Sequence, residues 1–287
     1  MKAVRIDRWR RLVLALALVP ALTLAQGTLE SNDYTPEIGQ EGKDVIWVPT
    51  PDFLVERMLQ MAQVGPDDLV IDLGSGDGRT VIMAAKKYHA NSAGIEFNPS
   101  MVALSRKNAE KAGVSATAKF IEGDIFATNF SKATVVTMYL LPDLNLRLRP
   151  KLLEMKPGTR LVSHQFSMGE WRPDEVSSYE GRTAMLWIVP AAVEGNWTLS
   201  YATEKGKAEL TMNLTQKFQM VEGGILAGSA RLGLRSVALQ GDRLDFSFVD
   251  GDGVLREFSG IVRGNAIAGS MKVAGRPSVR FRADKAA

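Results

Sequence analysis

Residues 68–89, DLVIDLGSGDGRTVIMAAKKYH, constrain what this chain can fold into more than any other stretch. The short apolar run 68–73 contains β-branched residues and predicts a buried strand. Residues 74–78, with three glycines, predict a tight turn, and 79–89 predict a helix. A strand that turns directly into a helix opens a βαβ unit, and its right-handed crossover returns the chain as a parallel strand.

The alternation continues on both sides. Thr50 and Pro51 read as a helix N-cap and a first-turn proline ahead of a helix at 51–63. Beyond the turn come a strand at 91–97, a helix at 99–112 stopped by Gly113, strands at 117–121 and 133–139, a helix at 143–155 and a strand at 160–164. A run at 179–190 closes the pattern. The fold class is α/β, a Rossmann-like doubly wound sheet whose strands all end on one rim, where ligands bind at the switch point.

After Ala191 and Ala192 the character changes. Eight short alternating runs (197–201, 208–214, 218–221, 236–239, 244–249, 254–258, 266–273 and 278–281) are separated by turn signals such as Gly223-Gly224 and Gly241-Asp242. They predict a small all-β domain of antiparallel strands, a barrel or a sandwich. Asp250-Gly251-Asp252-Gly253 lacks the later ligands of a calcium loop and reads as a hairpin turn. The division is 1–25 leader, 26–45 linker, 46–191 α/β domain and 192–287 β domain.

The leader is basic over 1–11 and apolar over 12–25 apart from Thr23, with Thr23 and Ala25 as small residues before a possible cleavage point. That is the layout of a secretory signal peptide, or of an uncleaved membrane anchor or organelle-targeting segment. Residues 1–25 hold Lys2, Arg5, Arg8, Arg10 and Arg11 against Asp7, so the chain's net +3 becomes about −1 once they are set aside. The body therefore carries no electrostatic footprint for nucleic acid. The chain has no cysteine and two histidines, His89 and His164. Disulfides, thiolate metal sites and multi-histidine metal sites are excluded, and no metal is expected.

The turn also selects a ligand. Glycines let the backbone approach a ligand closely. A dinucleotide fingerprint needs glycine or alanine where Arg79 stands, and Asp72 and Asp77 would repel a pyrophosphate. An ammonium group and a sulfonium would be attracted. Glu96, 22 residues after Gly74 and at the end of the second strand, can accept hydrogen bonds from both hydroxyls of a ribose. Asp124 follows the third strand and can accept from an adenine amino group, with Ile125 beside the ring. A cationic amino acid, a ribose and an adenine together describe S-adenosyl-L-methionine.

Residues 47–190 resemble a class I, seven-strand S-adenosyl-L-methionine-dependent methyltransferase. WVPTP (47–51), DLGSGDGR (72–79), GIEFNP (94–99), GDIF (123–126), YLLPDLN (139–145) and RPKL (149–152) are similar to the ATP synthase c-subunit lysine N-methyltransferases and their bacterial relatives, with Trp47 where tyrosine is usual. The resemblance implies methylation of a lysine ε-amine in a protein, or of a small-molecule acceptor; a binding protein that keeps the fold without the activity is the third reading. It implies that Asp72, Gly74, Ser75 and Gly76 hold the methionine end of the donor, Glu96 and Phe97 the ribose side, and Asp124 and Ile125 the adenine. It implies too that Val48, Pro49 and Thr50 close over it. Such a donor is made in the cytosol, whereas basic residues ahead of an apolar leader keep that end inside and put the body outside, periplasmic, secreted or membrane-associated.

Methyl transfer to lysine needs alignment, a dry site and a neutral amine. Between a pKa of about 10.4 and pH 7 the deprotonation costs roughly 4.6 kcal/mol, which burial beside a sulfonium offsets. Tyr139, after the fourth strand, is the candidate that orients the acceptor nitrogen, by hydroxyl or ring face. Asn145 is a second polar candidate or a helix cap. His164 is a base or a hydrogen-bonded rim histidine, His89 an exposed helix end, and Trp171 and Trp187 are core.

Overall fold

The computed structural model describes residues 34–44, 46–204 and 206–286. The leader at 1–25 lies outside the described residues, as does 26–33 of the polar stretch after it. Seven strands build the first sheet: β1 (Leu69–Leu73), β2 (Asn91–Glu96), β3 (Ala118–Glu122), β4 (Val135–Met138), β5 (Arg160–His164), β6 (Glu175–Tyr179) and β7 (Arg182–Ile188). Their order is β3-β2-β1-β4-β5-β7-β6, with β7 antiparallel to both its neighbours and the β3-to-β5 pairings parallel. All four residues of β4 and four of the five in β1 are buried. That is why these strands are apolar apart from Asp72 and Thr137: helices cover both faces.

α1 (Asp52–Met61) and α2 (Arg79–Tyr88) cover the face that carries Val70, Val135 and Val162. α4 (Pro142–Leu153) covers the other, laying Leu144, Leu148 and Leu152 on Ile71, Val136, Met138 and Leu161. α3 (Pro99–Lys111) starts on a proline, and the Asn98 side chain caps it by accepting from the N–H groups of Ser100 and Met101. From β1 the chain steps outward to β2 and β3, then returns beside β1 at β4. The crevice beyond the C-terminal ends of β1 and β4 is the switch point.

The run 179–190, expected as the closing strand, holds β7; a strand not expected from the sequence, β6, precedes it and makes a hairpin with it. Glu180 (φ 49°) and Gly181 (φ 71°) both take positive φ and join β6 to β7 in a two-residue turn. β6 is an edge strand with four of its five residues exposed, so it shows no apolar alternation.

Nine strands make the second sheet: β8 (Gly195–Thr203), β9 (Gly206–Lys217), β10 (Met220–Ala227), β11 (Ala230–Gly233), β12 (Arg235–Gln240), β13 (Arg243–Val249), β14 (Leu255–Arg263), β15 (Ala266–Lys272) and β16 (Val279–Lys285). The order β11-β10-β9-β8-β16-β15-β14-β13-β12 is antiparallel throughout. Its two edge strands follow one another in sequence, and Leu234 between them donates to Gly223 O, so the sheet curls nearly into a barrel around Trp197, Tyr201, Phe246, Phe258 and Phe281. Nine strands stand where eight were expected. Gly223 and Gly224, expected as a turn, lie inside β10, where a Cβ on Gly223 would come 2.2 Å from Asn213 O. The reversal sits instead at Phe218, with φ 58°. Asp250 does form the expected hairpin turn: its Oδ1 accepts from the N–H groups of Asp252 and Val254.

The sheets meet around Trp171. The Phe218 ring stacks on it with centroids 5.8 Å apart and planes 13° off parallel, and Gln219 Nε2 donates to Arg172 O at 2.7 Å. Trp187 Nε1 donates to Trp171 O, and both indoles are fully buried, as expected of core residues. His89 is exposed at the end of α2.

Candidate active site

A cavity of about 310 Å3 opens at the switch point. Its floor is the glycine turn between β1 and α2. Gly74, Gly76 and Gly78 all take positive φ (75°, 54° and 85°), which a residue with a Cβ rarely adopts. At Gly76 a Cβ would also lie 2.6 Å from Trp47 Nε1, so the bare backbone is what lets the indole rest on the turn.

Asp72 is the last residue but one of β1 and is buried. Its Oδ1 accepts a 2.6 Å hydrogen bond from Thr137 Oγ1, across the β1–β4 pairing. Burial pushes its carboxyl up to about 7, with Glu96 and Asp77 adding to the effect, against the hydrogen bonds from Thr137 and Thr80. No cation pairs with it among the described residues. Asp77, by contrast, is clamped by the Arg79 guanidinium at 2.7–3.2 Å, and Arg79 Nη1 reaches on to Thr50 O at 3.0 Å. Arg79 thus ties the turn to the segment before α1.

Glu96 ends β2 with both oxygens committed to backbone: Oε2 accepts from Gly76 N and Oε1 from Asn98 N, each at 2.9 Å. The carboxylate is held in place at the cavity it lines, with lone pairs left to accept further hydrogen bonds. Ser75 lines the same wall, but its hydroxyl is turned toward Gly94, where a Cβ would sit 2.3 Å from Oγ; that buried oxygen has no partner.

At the other end lie Phe97, Asp124 and Ile125. Here the stretch expected as a linker contributes to the wall: Gln40 to Asp44 line the cavity, and Glu41 and Ile46 form an antiparallel bridge that shapes a strap. Lys43 Nζ lies 2.6 Å from Asp124 Oδ2 and 4.5 Å from the centre of the Phe97 ring. The Lys43 ammonium and the Phe126 N–H hold Asp124 below the usual carboxylate range.

Val48, Pro49 and Thr50 line the cavity, as does Tyr139 just beyond β4. Three expectations are corrected. Thr50 does not cap α1; its Oγ1 is 3.0 Å from His164 Nδ1. His164 is no rim histidine but fully buried, with its ring stacked on Tyr139 at 3.8 Å. Asn145 is also fully buried, inside the first turn of α4, and is absent from the cavity wall. Its Nδ2 donates to Phe166 O and Ser167 O, bracing the loop after β5 instead of capping a helix or reaching the cavity. Of the residues singled out from sequence, the cavity gathers all the donor-side set and Tyr139. Lys43, Arg79 and the Thr50–His164 pair were missed. For Arg79, the acid two residues earlier was the available signal.

The lining suits a ligand that is cationic at one end and aromatic at the other. Asp72 is an unpaired buried acid, Glu96 an anchored acceptor in the middle, and the Phe97 ring already bears a cation. The described residues hold no cluster of acids and histidines that would bind a metal ion.

Residues 72–175 match the family model of the ANTKMT methyltransferase domain. A protein-lysine N-methyltransferase of Saccharolobus islandicus is 45% identical over 151 residues, covering 50% of this chain and 94% of its own length. The human ATP synthase c-subunit lysine N-methyltransferase is 36% identical over 132 residues, 46% of this chain and 56% of its own. The chain therefore spans nearly all of the archaeal relative and little more than half of the human one. A crystal structure described as an RNA methyltransferase from Salinibacter ruber, in complex with S-adenosyl-L-homocysteine, is 50% identical, with a TM-score of 0.50, covering 51% of this chain and 96% of that one. The family model falls on residues that build the first sheet and its cavity, and this chain belongs to the family of S-adenosyl-L-methionine-dependent methyltransferases that contains those protein-lysine N-methyltransferases.

Proposed function

We propose that this chain transfers a methyl group from S-adenosyl-L-methionine to the ε-amine of a lysine in a protein. The observation that carries the reading is Asp72: a buried carboxyl with no cation partner, beside a glycine turn and facing the same cavity as Glu96 and Tyr139. When bound, S-adenosyl-L-methionine supplies a methyl group already activated on a sulfonium. The chain then has to hold, align and exclude water.

In this reading Asp72 and the backbone of Gly74, Ser75 and Gly76 receive the methionine end. Glu96 accepts from the ribose, and Phe97, Asp124 and Ile125 flank the adenine. Val48, Pro49 and Thr50 close one side and keep water out. Tyr139 orients the acceptor amine, and Asn145 acts from behind the wall by fixing the loop after β5. The lysine loses its proton because a desolvated ammonium beside a cationic donor is disfavoured.

The relatives named as lysine methyltransferases support a protein acceptor, and the near-neutral body supports it over nucleic acid. Residues 1–25, read as an export signal or a membrane anchor, add a proposed location outside the cytosol or at a membrane. Incubation of a proteome with isotopically labelled donor, followed by peptide mass spectrometry, tests the acceptor. New methyl-lysine is expected; label confined to RNA or to metabolites would sink the protein-lysine reading.

A further inference from the structure

One buried ring links two parts of the cavity wall that are far apart in sequence. His164 ends β5 and does not itself line the cavity. Residues alternate faces along a strand, so His164 falls on the face that carries Asp72 and Thr137, and Tyr139 follows on that face beyond β4. Nδ1 of His164 is 3.0 Å from Thr50 Oγ1, and its ring stacks on that of Tyr139, 3.8 Å between centroids and 29° between planes. Thr50 and Tyr139 both line the cavity. Thr50 is held a second time through its carbonyl, by Arg79.

Burial brings the imidazole down to about 4, with Arg182 adding to the effect, so the ring is neutral near pH 7 and sets no positive charge behind a site for cations. Nε2 is buried without a partner. An unmet buried polar atom is costly, and phenylalanine or leucine would fill the space without that cost. A histidine there is explained by what its other nitrogen and its face do.

We propose that His164 is a positioning residue: its bond to Thr50 sets the donor-side loop, its stacked face sets the plane of Tyr139, and together they fix the gap across which the methyl group passes. This rests on the reading that puts Thr50 on the donor side and Tyr139 on the acceptor side.

Three substitutions separate the two contacts. His164→Asn keeps a polar group near the Nδ1 position and removes the stack. Its kcat should fall about tenfold while the donor Kd stays within about twofold. Thr50→Val removes the bond and leaves the ring; the donor Kd should rise about three- to tenfold, the range a net hydrogen bond spans, with kcat within about threefold. His164→Phe keeps a stacked ring without the bond, and should match Thr50→Val. The double variant should be no worse than either single one, since both break the same contact. Ordinary packing loss shifts the melting temperature but produces no such split. Equal changes in kcat and Kd, changes below twofold, or additive losses in the double variant would overturn the proposal. If either His164 variant fails to fold, Thr50→Val still decides it: unchanged donor affinity refutes the bond's role. Wild-type chain runs alongside. Absence of donor binding there overturns the proposed function and this inference with it, whereas an active wild type with no split overturns this inference alone.

Discussion

Asp72 Oδ1 accepts a 2.6 Å hydrogen bond from Thr137 Oγ1, and this is the strongest contact holding a buried carboxyl that has no cation beside it. With its carboxyl pushed up to about 7 in the folded chain, from 3.8, Asp72 keeps a proton between those values that the unfolded chain has lost. Asp72 therefore costs stability progressively as pH rises through that window, and the full cost persists above pH 7. A cationic donor favours the charged form. The donor Kd should be flat above pH 7 and rise below it, approaching tenfold per pH unit. Titration calorimetry between pH 5.5 and 8.5, limits set by about 1.5 units either side of that value, checks this. Asp72→Asn should raise the melting temperature of the free protein by a few degrees and weaken donor binding by about tenfold or more. A variant that loses both stability and affinity would count against the assignment.

Glu96 spends its two oxygens on Gly76 and Asn98 and so joins the turn to the start of α3. Glu96→Ala should raise the donor Kd by about tenfold or more, because hydrogen bonds to a charged group are worth roughly 1.5–3 kcal/mol. Glu96→Gln retains one acceptor oxygen and should lose less. Equal affinity in all three proteins would remove the ribose assignment.

Lys43 presents the opposite case. Its ammonium lies on Asp124 and over Phe97, the groups assigned to adenine. Exposed ion pairs are worth about 0–1 kcal/mol. Lys43→Met should therefore tighten donor binding by no more than about fivefold, with the effect shrinking at high salt. A tenfold loss instead would mean that Lys43 holds the adenine end and does not compete for it.

Gly76→Ala places a methyl group 2.6 Å from the Trp47 indole at a backbone φ of 54°. The left-handed conformation costs an alanine about 1–2 kcal/mol, and the indole has to lift off the turn. Donor affinity should drop by about tenfold, and Trp47 emission, isolated by comparison with Trp47→Phe, should shift to the red. Unaltered emission would show that the indole does not rest there in solution.

Reading the sequence located the glycine turn, Asp72, Glu96 and the central strands because each leaves a local mark. Strands covered on both faces must be apolar, and a turn with three positive φ angles needs glycines. Signals that depend on distant partners were not legible. Thr50 and His164 are 114 positions apart, and Thr50 before a proline looks like a cap. Lys43 lies in a polar stretch with its partners Phe97 and Asp124 far along the chain. Asn145 inside a helix's first turn looks like a cap or a catalytic group, yet it holds two carbonyls of the loop after β5. Gly223 and Gly224 read as a turn because nothing local reports that a neighbouring strand's carbonyl fills the space of a Cβ.

The stacking of Phe218 on Trp171 makes the appended sheet a roof over the enzyme's own core. A chain cut after Val189 loses Phe218 from the face of the Trp171 indole, and the bared ring is expected to promote aggregation. A minimal catalytic fragment has to be redesigned at Trp171, with a smaller or polar side chain, before it can live alone.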